Sequence, residues 1–260
     1  MASVSDTVLA MGALIVMVAP SGAPSGTVLR MFVKICGITN DEDALLAVAL
    51  GADAIGFVFA PGSPRQVTVN AVRDIVRRLP PETLTIGVFR DERRERVAEI
   101  VNGLRLGGAQ LHGREPQSEA RWVRTRVPFL IQGFRAGDPA IEASARGPAD
   151  VVLLDGGAPG SGELFDWALA EGAPAGTRLL LAGGLAPDNV AAAIRRVRPW
   201  GVDVATGVET EPGSGRKDAR KLARFLEEAR LAGSEMETDG WVPADAEPFD
   251  WQVDEVRSDT

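Results

Sequence analysis

A single cysteine and a single histidine among 260 residues remove several classes of chemistry at once. One cysteine cannot close an intramolecular disulfide, and one of each cannot assemble a Cys/His metal site, so no metal and no metal-borne cofactor is expected. Cys36 is expected as a free thiol in a reducing, cytoplasmic setting. Surplus positive charge is also missing. The formal charge of −8 resides wholly in the stretch from Leu231 to Thr260, which holds nine acidic residues and one basic one, Arg257. The first 230 residues are neutral, which argues against a nucleic-acid partner but leaves room for anion binding by local donors. Long apolar runs are absent as well. Val8 to Pro20 is too short to span a bilayer, and no Lys or Arg precedes it as one would in a secretory leader, so no membrane partner is expected.

What the chain does contain is a repeated alternation. Between Met31 and Arg230, eight short aliphatic runs begin at MFVKI (31–35), AIGFVF (54–59), LTIGVF (84–89) and GAQLH (108–112). They continue with FLIQGF (129–134), VVLLD (151–155), RLLLA (178–182) and VDVAT (202–206). Near-continuous apolar runs of this length predict strands covered on both faces. Helix-like stretches separate them at 41–50, 71–79, 92–102, 115–126 and 188–198, and a last one spans 218–231. Eight strands with crossovers predict a single α/β (β/α)8 barrel over residues 31–232. A doubly wound sheet would carry a Gly-rich fingerprint after its first strand, and CGIT is not one. Residues 1–30 are read as an extension or an upstream start, with Met31 as the expected true beginning. Residues 233–260 are read as an acidic, disordered tail in which Trp241, Phe249 and Trp251 could dock on a groove.

In such barrels chemistry sits on the loops at the C-terminal ends of the strands. Cys36, Arg65, Arg90, His112, Asp155, Gly183, Gly184 and Gly207 all fall there. A thiol ending one strand and a carboxylate ending another can serve as base and acid across the mouth, provided that nearby donors lower the thiol's pKa. Arg65, held in a loop with two prolines, offers a planar fork for a carboxylate, against the alternative of a solvated surface arginine. Gly183–Gly184 and Thr206–Gly207 follow the seventh and eighth strands, where loops of this fold commonly bind phosphate. His112 either lines the pocket or satisfies a neighbouring backbone group.

The motifs KICGITN (34–40), GADAIGFVF (51–59), SPR (63–65), QLHG (110–113), GSGxxFDW (160–167), GGLxPxNV (183–190) and VDVxxGVE (202–209) occur in order. Together they resemble the phosphoribosylanthranilate isomerase family of tryptophan biosynthesis, over roughly residues 31–230. The resemblance implies a (β/α)8 barrel acting without a cofactor on a small phosphorylated substrate, as a monomer or homodimer. It implies an Amadori rearrangement with Cys36 as general base, Asp155 as general acid and Arg65 on the anthranilate carboxylate. The glycine loops, with Thr206, would take the phosphate. Three departures stand out: Ala205–Thr206 replaces the usual Ser-Ser, the segment 156–162 is shortened, and Glu163 stands where lysine is usual. The related barrel isomerase of histidine biosynthesis is disfavoured because it carries an aspartate where Cys36 stands. A phosphate-binding barrel without catalysis would not need to keep both Cys36 and Asp155. A thiol nucleophile would need a base such as His112, which the strand order puts several strands away.

Overall fold

The apolar runs form strands because burial on both faces leaves few positions where a polar side chain could reach water. The computed structural model describes residues 30–144, 146–156 and 177–238. The strands are β1 (Phe32–Cys36), β2 (Ala54–Val58), β3 (Leu84–Phe89), β4 (Gly108–Leu111), β5 (Leu130–Arg135), β6 (Val151–Asp155), β7 (Leu179–Ala182) and β8 (Gly201–Val204). The helices are α1 (Asp41–Ala49), α2 (Val69–Val76), α3 (Arg94–Leu104), α4 (Gln117–Arg124), α5 (Ala140–Ser144), α6 (Val190–Val197) and α7 (Ala219–Thr238). Each strand pairs in parallel with the next, and β8 closes onto β1 from Phe32↔Gly201 to Ile35↔Val204. The expected barrel is therefore closed. Of the helices, only α5, five residues long, had no counterpart in the sequence pattern.

Strand periodicity decides which side chains fill the barrel and which meet the helices. On β1, Val33 and Ile35 pack outward in the larger core, while Phe32 joins the cluster that plugs the bottom of the barrel. That plug includes Leu84, Ile86, Phe129, Ile131, Leu153 and Leu180, and Trp200 closes it by stacking on Phe32 at 4.4 Å between ring centroids. By the same alternation Lys34 and Cys36 stand above Phe32 inside the barrel. On β8, Val202 and Val204 face outward and Asp203 faces in. On β6, Val151 and Leu153 face in below Asp155. The rim residues thus sit on a floor of packed hydrocarbon.

The last helix runs farther than the sequence suggests. It passes through Gly233 and ends at Thr238. Gly233 is accommodated because a Cβ there would stand 2.5 Å from the Met31 side chain, so helix and β1 entry approach closely. Ala232 and Met236 are buried in the core, and Glu235 pairs with Arg195 at 2.8 Å. Residues 233–238 therefore belong to the barrel, not to a tail. Residues 1–29, and the tail aromatics Trp241, Phe249 and Trp251, lie outside the described residues. Truncation after Ala232 is expected to expose the surface Met236 covers, at about 1.5–3 kcal/mol. The exposed ion pair adds little. A fall in Tm on the order of 5 °C should appear in a thermal melt of the truncated chain. An unchanged Tm would return residues 233–238 to the tail.

Candidate active site

A cavity of about 950 Å³ opens at the C-terminal end of the barrel. Its wall brings together every residue that the sequence pointed to: Cys36, Arg65, His112, Asp155, the Gly183–Gly184 turn and the Thr206–Gly207 turn. Arg90 lines it too, together with Arg114, Arg135, Asp203 and Lys221, which the sequence pattern did not single out. Among the described residues no three His, Cys, Asp or Glu side chains are grouped to hold a metal ion.

Cys36 ends β1 and is buried, 7% exposed, on the cavity wall. Its neighbourhood differs from the one expected of an activated thiol. Burial pushes the thiol above its ordinary pKa; the Lys34 ammonium opposes this, the Asp203 carboxylate reinforces it, and Lys217 opposes it again. Donors are present, but desolvation outweighs them, so the thiol of the open site is protonated at neutral pH. The glycines around it are there to make room. Gly37 adopts φ +73°, and the Arg65 side chain lies where its Cβ would be. A Cβ on Gly56 would stand 2.9 Å from Cys36 Sγ and 3.2 Å from Lys34 Nζ.

Asp155 ends β6 and reaches the same cavity. His112 Nε2 lies 3.4 Å from Asp155 Oδ2, and Gln110 Nε2 lies 2.8 Å from His112 Nδ1. With the Gln110 amide donating, Nδ1 accepts and the ring proton sits on Nε2, facing the carboxylate. Gly133 on β5 permits this placement, since a Cβ there would stand 2.7 Å from Nδ1. Of the two readings of His112, pocket lining is the one observed. Its imidazole meets a carboxylate, and the backbone N–H of the residue donates to Phe89 O at 2.8 Å.

Arg65 is not a surface arginine. Only 9% exposed, it clamps Glu209 with Nε on Oε1 at 2.6 Å and Nη2 on Oε2 at 2.9 Å. Nη2 also donates to Thr206 Oγ1 at 2.8 Å. Glu209 is fully buried and accepts further from the Gly213 N–H at 2.8 Å, with Lys217 Nζ at 3.5 Å. Burial works against the charge on Glu209, yet its bonds to Arg65 and the Lys217 charge hold its carboxyl below the usual range. Burial pulls Lys217 below the usual lysine value against the attraction of Glu209. Lys217 Nζ donates to Cys36 O at 2.8 Å and Ala205 O at 3.0 Å, tying the ends of β1 and β8 together. Sequence reasoning missed Lys217, which reads as a surface charge in GRKDAR, and saw Glu209 only as a motif letter.

The two glycine turns press against each other: a Cβ on Gly207 would stand 2.9 Å from Ala186 Cα. Gly183 and Gly184 adopt φ +86° and +65°, a backbone that only glycine takes readily, and neither donates its N–H to a described residue. Asn189 braces this turn, accepting from Ala186 N at 2.8 Å and donating to Gly184 O at 2.9 Å. Amides with no bond to a described residue, beside a short 3-10 turn (Thr206–Val208), suit an anion. Glu163 and the rest of the loop after β6 lie outside the described residues.

Comparison with known proteins gives a consistent result. Residues 33–228 match the family model described as N-(5'-phosphoribosyl)anthranilate (PRA) isomerase. The N-(5'-phosphoribosyl)anthranilate isomerase of Pelobacter propionicus is 46% identical over 208 residues, covering 78% of this chain and 97% of the relative. The crystal structure of the Thermus thermophilus phosphoribosyl anthranilate isomerase matches with TM-score 0.70 and 46% identity, over 78% of this chain and 98% of that one. A further crystal structure, of a phosphoribosyl anthranilate isomerase in complex with reduced 1-(o-carboxyphenylamino)-1-deoxyribulose 5-phosphate, matches with TM-score 0.66 and 37% identity. It covers 77% of this chain and 99% of that one.

Proposed function

Because the chain belongs to the N-(5'-phosphoribosyl)anthranilate isomerase family, isomerases of tryptophan biosynthesis, we propose that it carries out the family's Amadori rearrangement by general acid–base catalysis between Asp155 and Cys36. The observation that carries this reading is the convergence of a thiol from β1, a carboxylate from β6 and two glycine turns on one cavity. The phosphate of the substrate sits on the backbone amides of the Gly183–Gly184 turn and on the Thr206–Gly207 turn. Arg65 has spent Nε and Nη2 on Glu209 and Thr206, and its Nη1 edge, which donates to no described residue, receives the anthranilate carboxylate.

With the substrate so held, Asp155 as general acid delivers a proton to the furanose ring oxygen as the C1'–O bond breaks, leaving a Schiff base. Cys36, as thiolate, takes the C2' proton, and the resulting enolamine ketonises to 1-(2-carboxyphenylamino)-1-deoxyribulose 5-phosphate. His112, 3.4 Å from Asp155 and fixed by Gln110, holds the carboxyl toward the cavity. Atoms and electrons are conserved within one molecule, so no co-reactant is consumed.

The test is an assay with phosphoribosylanthranilate, following loss of its fluorescence. Turnover is expected, and its pH dependence carries a sign. The base form of Cys36 is the active one and burial raises its pKa, so kcat/KM should still be climbing with pH above about 8.5, the ordinary thiol value. No turnover would refute the reaction. A profile flat through the alkaline range would remove the thiol as its base.

A further inference from the structure

Directly beneath Cys36 the barrel interior changes character. The plug below is hydrocarbon, yet the layer between plug and thiol holds Lys34, with no exposed surface, paired to Asp203 at 2.9 Å. Burial opposes the charge on Lys34, but the Asp203 carboxylate lifts it above the usual lysine value, which favours the ammonium form. As packing alone this pair is a poor choice, since well-packed apolar residues in place of a buried ion pair are often neutral or stabilising. What the pair gains is position. Cys36 Sγ and Lys34 Nζ both lie within 3.2 Å of the point where a Cβ on Gly56 would stand, so the absent side chain of Gly56 leaves the space in which they approach.

We propose that Lys34 is a positioning residue for the reaction: its buried ammonium, held by Asp203, supports the thiolate form of Cys36 while the proton is being removed from the substrate. The inference rests on the reading of Cys36 as the base. Every other charged group facing the thiol has a different assignment. Asp203 on β8 opposes ionisation but keeps Lys34 charged. Lys217 favours ionisation, yet its ammonium is bonded to the Cys36 and Ala205 carbonyls and drawn to Glu209. Arg65 packs over Gly37, next to Cys36, but its fork is closed on Glu209. Asp155 belongs to the opposite wall and to the acid step. Lys34 is the cation beside the sulfur, and its ammonium is held by a hydrogen bond to Asp203 at 2.9 Å.

A one-cysteine chain makes the test direct, because alkylation by iodoacetamide reads Cys36 alone. The rate against pH gives the thiol midpoint for the full-length enzyme, for Lys34→Met and for Lys34→Met/Asp203→Asn, with thermal melts showing which are folded. The double variant removes both charges and so keeps a neutral core if the single change fails to fold. Loss of an ammonium this close should move the midpoint up by about 1–3 pH units in Lys34→Met, and by less in the double variant, where the opposing carboxylate is gone too. The alkaline limb of kcat/KM should move with it. An unmoved or lowered midpoint in either folded variant overturns the inference. Failure of the underlying reading looks different, since it would show as near wild-type turnover in Cys36→Ala whatever the alkylation midpoints do.

Discussion

Replacing Cys36 by alanine, or Asp155 by asparagine, should each lower kcat for phosphoribosylanthranilate by at least about 10²–10⁴-fold, the usual contribution of one general acid or base. The two side chains end β1 and β6 and share one cavity, whereas the glycine turns proposed for phosphate follow β7 and β8. Ground-state binding should therefore survive, and KM should change far less than kcat. Cys36→Ser should recover little. A hydroxyl is much harder to ionise than a thiol, and the desolvation that already raises the thiol would act on it too. In the double variant the loss should be smaller than the product of the single losses, because each group is useful only while the other works. Steady-state assays of the four proteins check this. Near wild-type kcat in Cys36→Ala would take the thiol out of the mechanism.

The barrel was legible in the sequence for a physical reason. A strand covered on both faces must be apolar along its length, and eight such runs with helical spacers leave few other arrangements. The rim was legible because loops at the C-terminal ends of the strands carry the cavity, so Cys36 and Asp155, as strand-ending residues, could be assigned to it from the sequence. What could not be read was pairing across long separations. Lys34 and Asp203 are 169 residues apart, and Arg65 and Glu209 are 144 apart; only barrel closure brings them together. A signal for the first pair was nevertheless present, since a lysine inside MFVKI and an aspartate inside VDVA have no water to face. For Glu209 there was none, because a glutamate in a Gly- and Pro-bearing loop looks solvated. The thiol's pKa direction was unreadable for a similar reason: the number of donors nearby says little until the depth of burial is known. Gly233 misled in the opposite way. It looks like a helix stop, and it is a helix residue trimmed to fit against Met31.

The largest loss of substrate recognition is expected from the Arg65–Glu209 clamp. Arg65→Ala removes the proposed partner of the anthranilate carboxylate and should cost about 2–5 kcal/mol in kcat/KM, as for a buried charged pair, chiefly as a rise in KM. Glu209→Gln tests whether the clamp, and not merely the arginine, matters. It keeps the shape but leaves the Arg65 guanidinium and the Lys217 ammonium close together without their shared anion. Breaking a buried pair in this way typically costs about 3–5 kcal/mol of stability. The sign with pH follows from the lowered pKa of Glu209. A carboxyl held below its unfolded value contributes stability that is present above the unfolded pKa and is lost as pH falls through the folded one. The wild-type Tm should therefore drop as pH falls below about 4.5, the ordinary glutamate value, and the Glu209→Gln protein should start from a lower Tm and show a shallower acid limb. Melting curves across that range, set beside KM for both variants, separate the two contributions. A Glu209→Gln protein with wild-type Tm and KM would show that Arg65 needs no clamp, and an Arg65→Ala protein with unchanged KM would place the carboxylate elsewhere in the cavity.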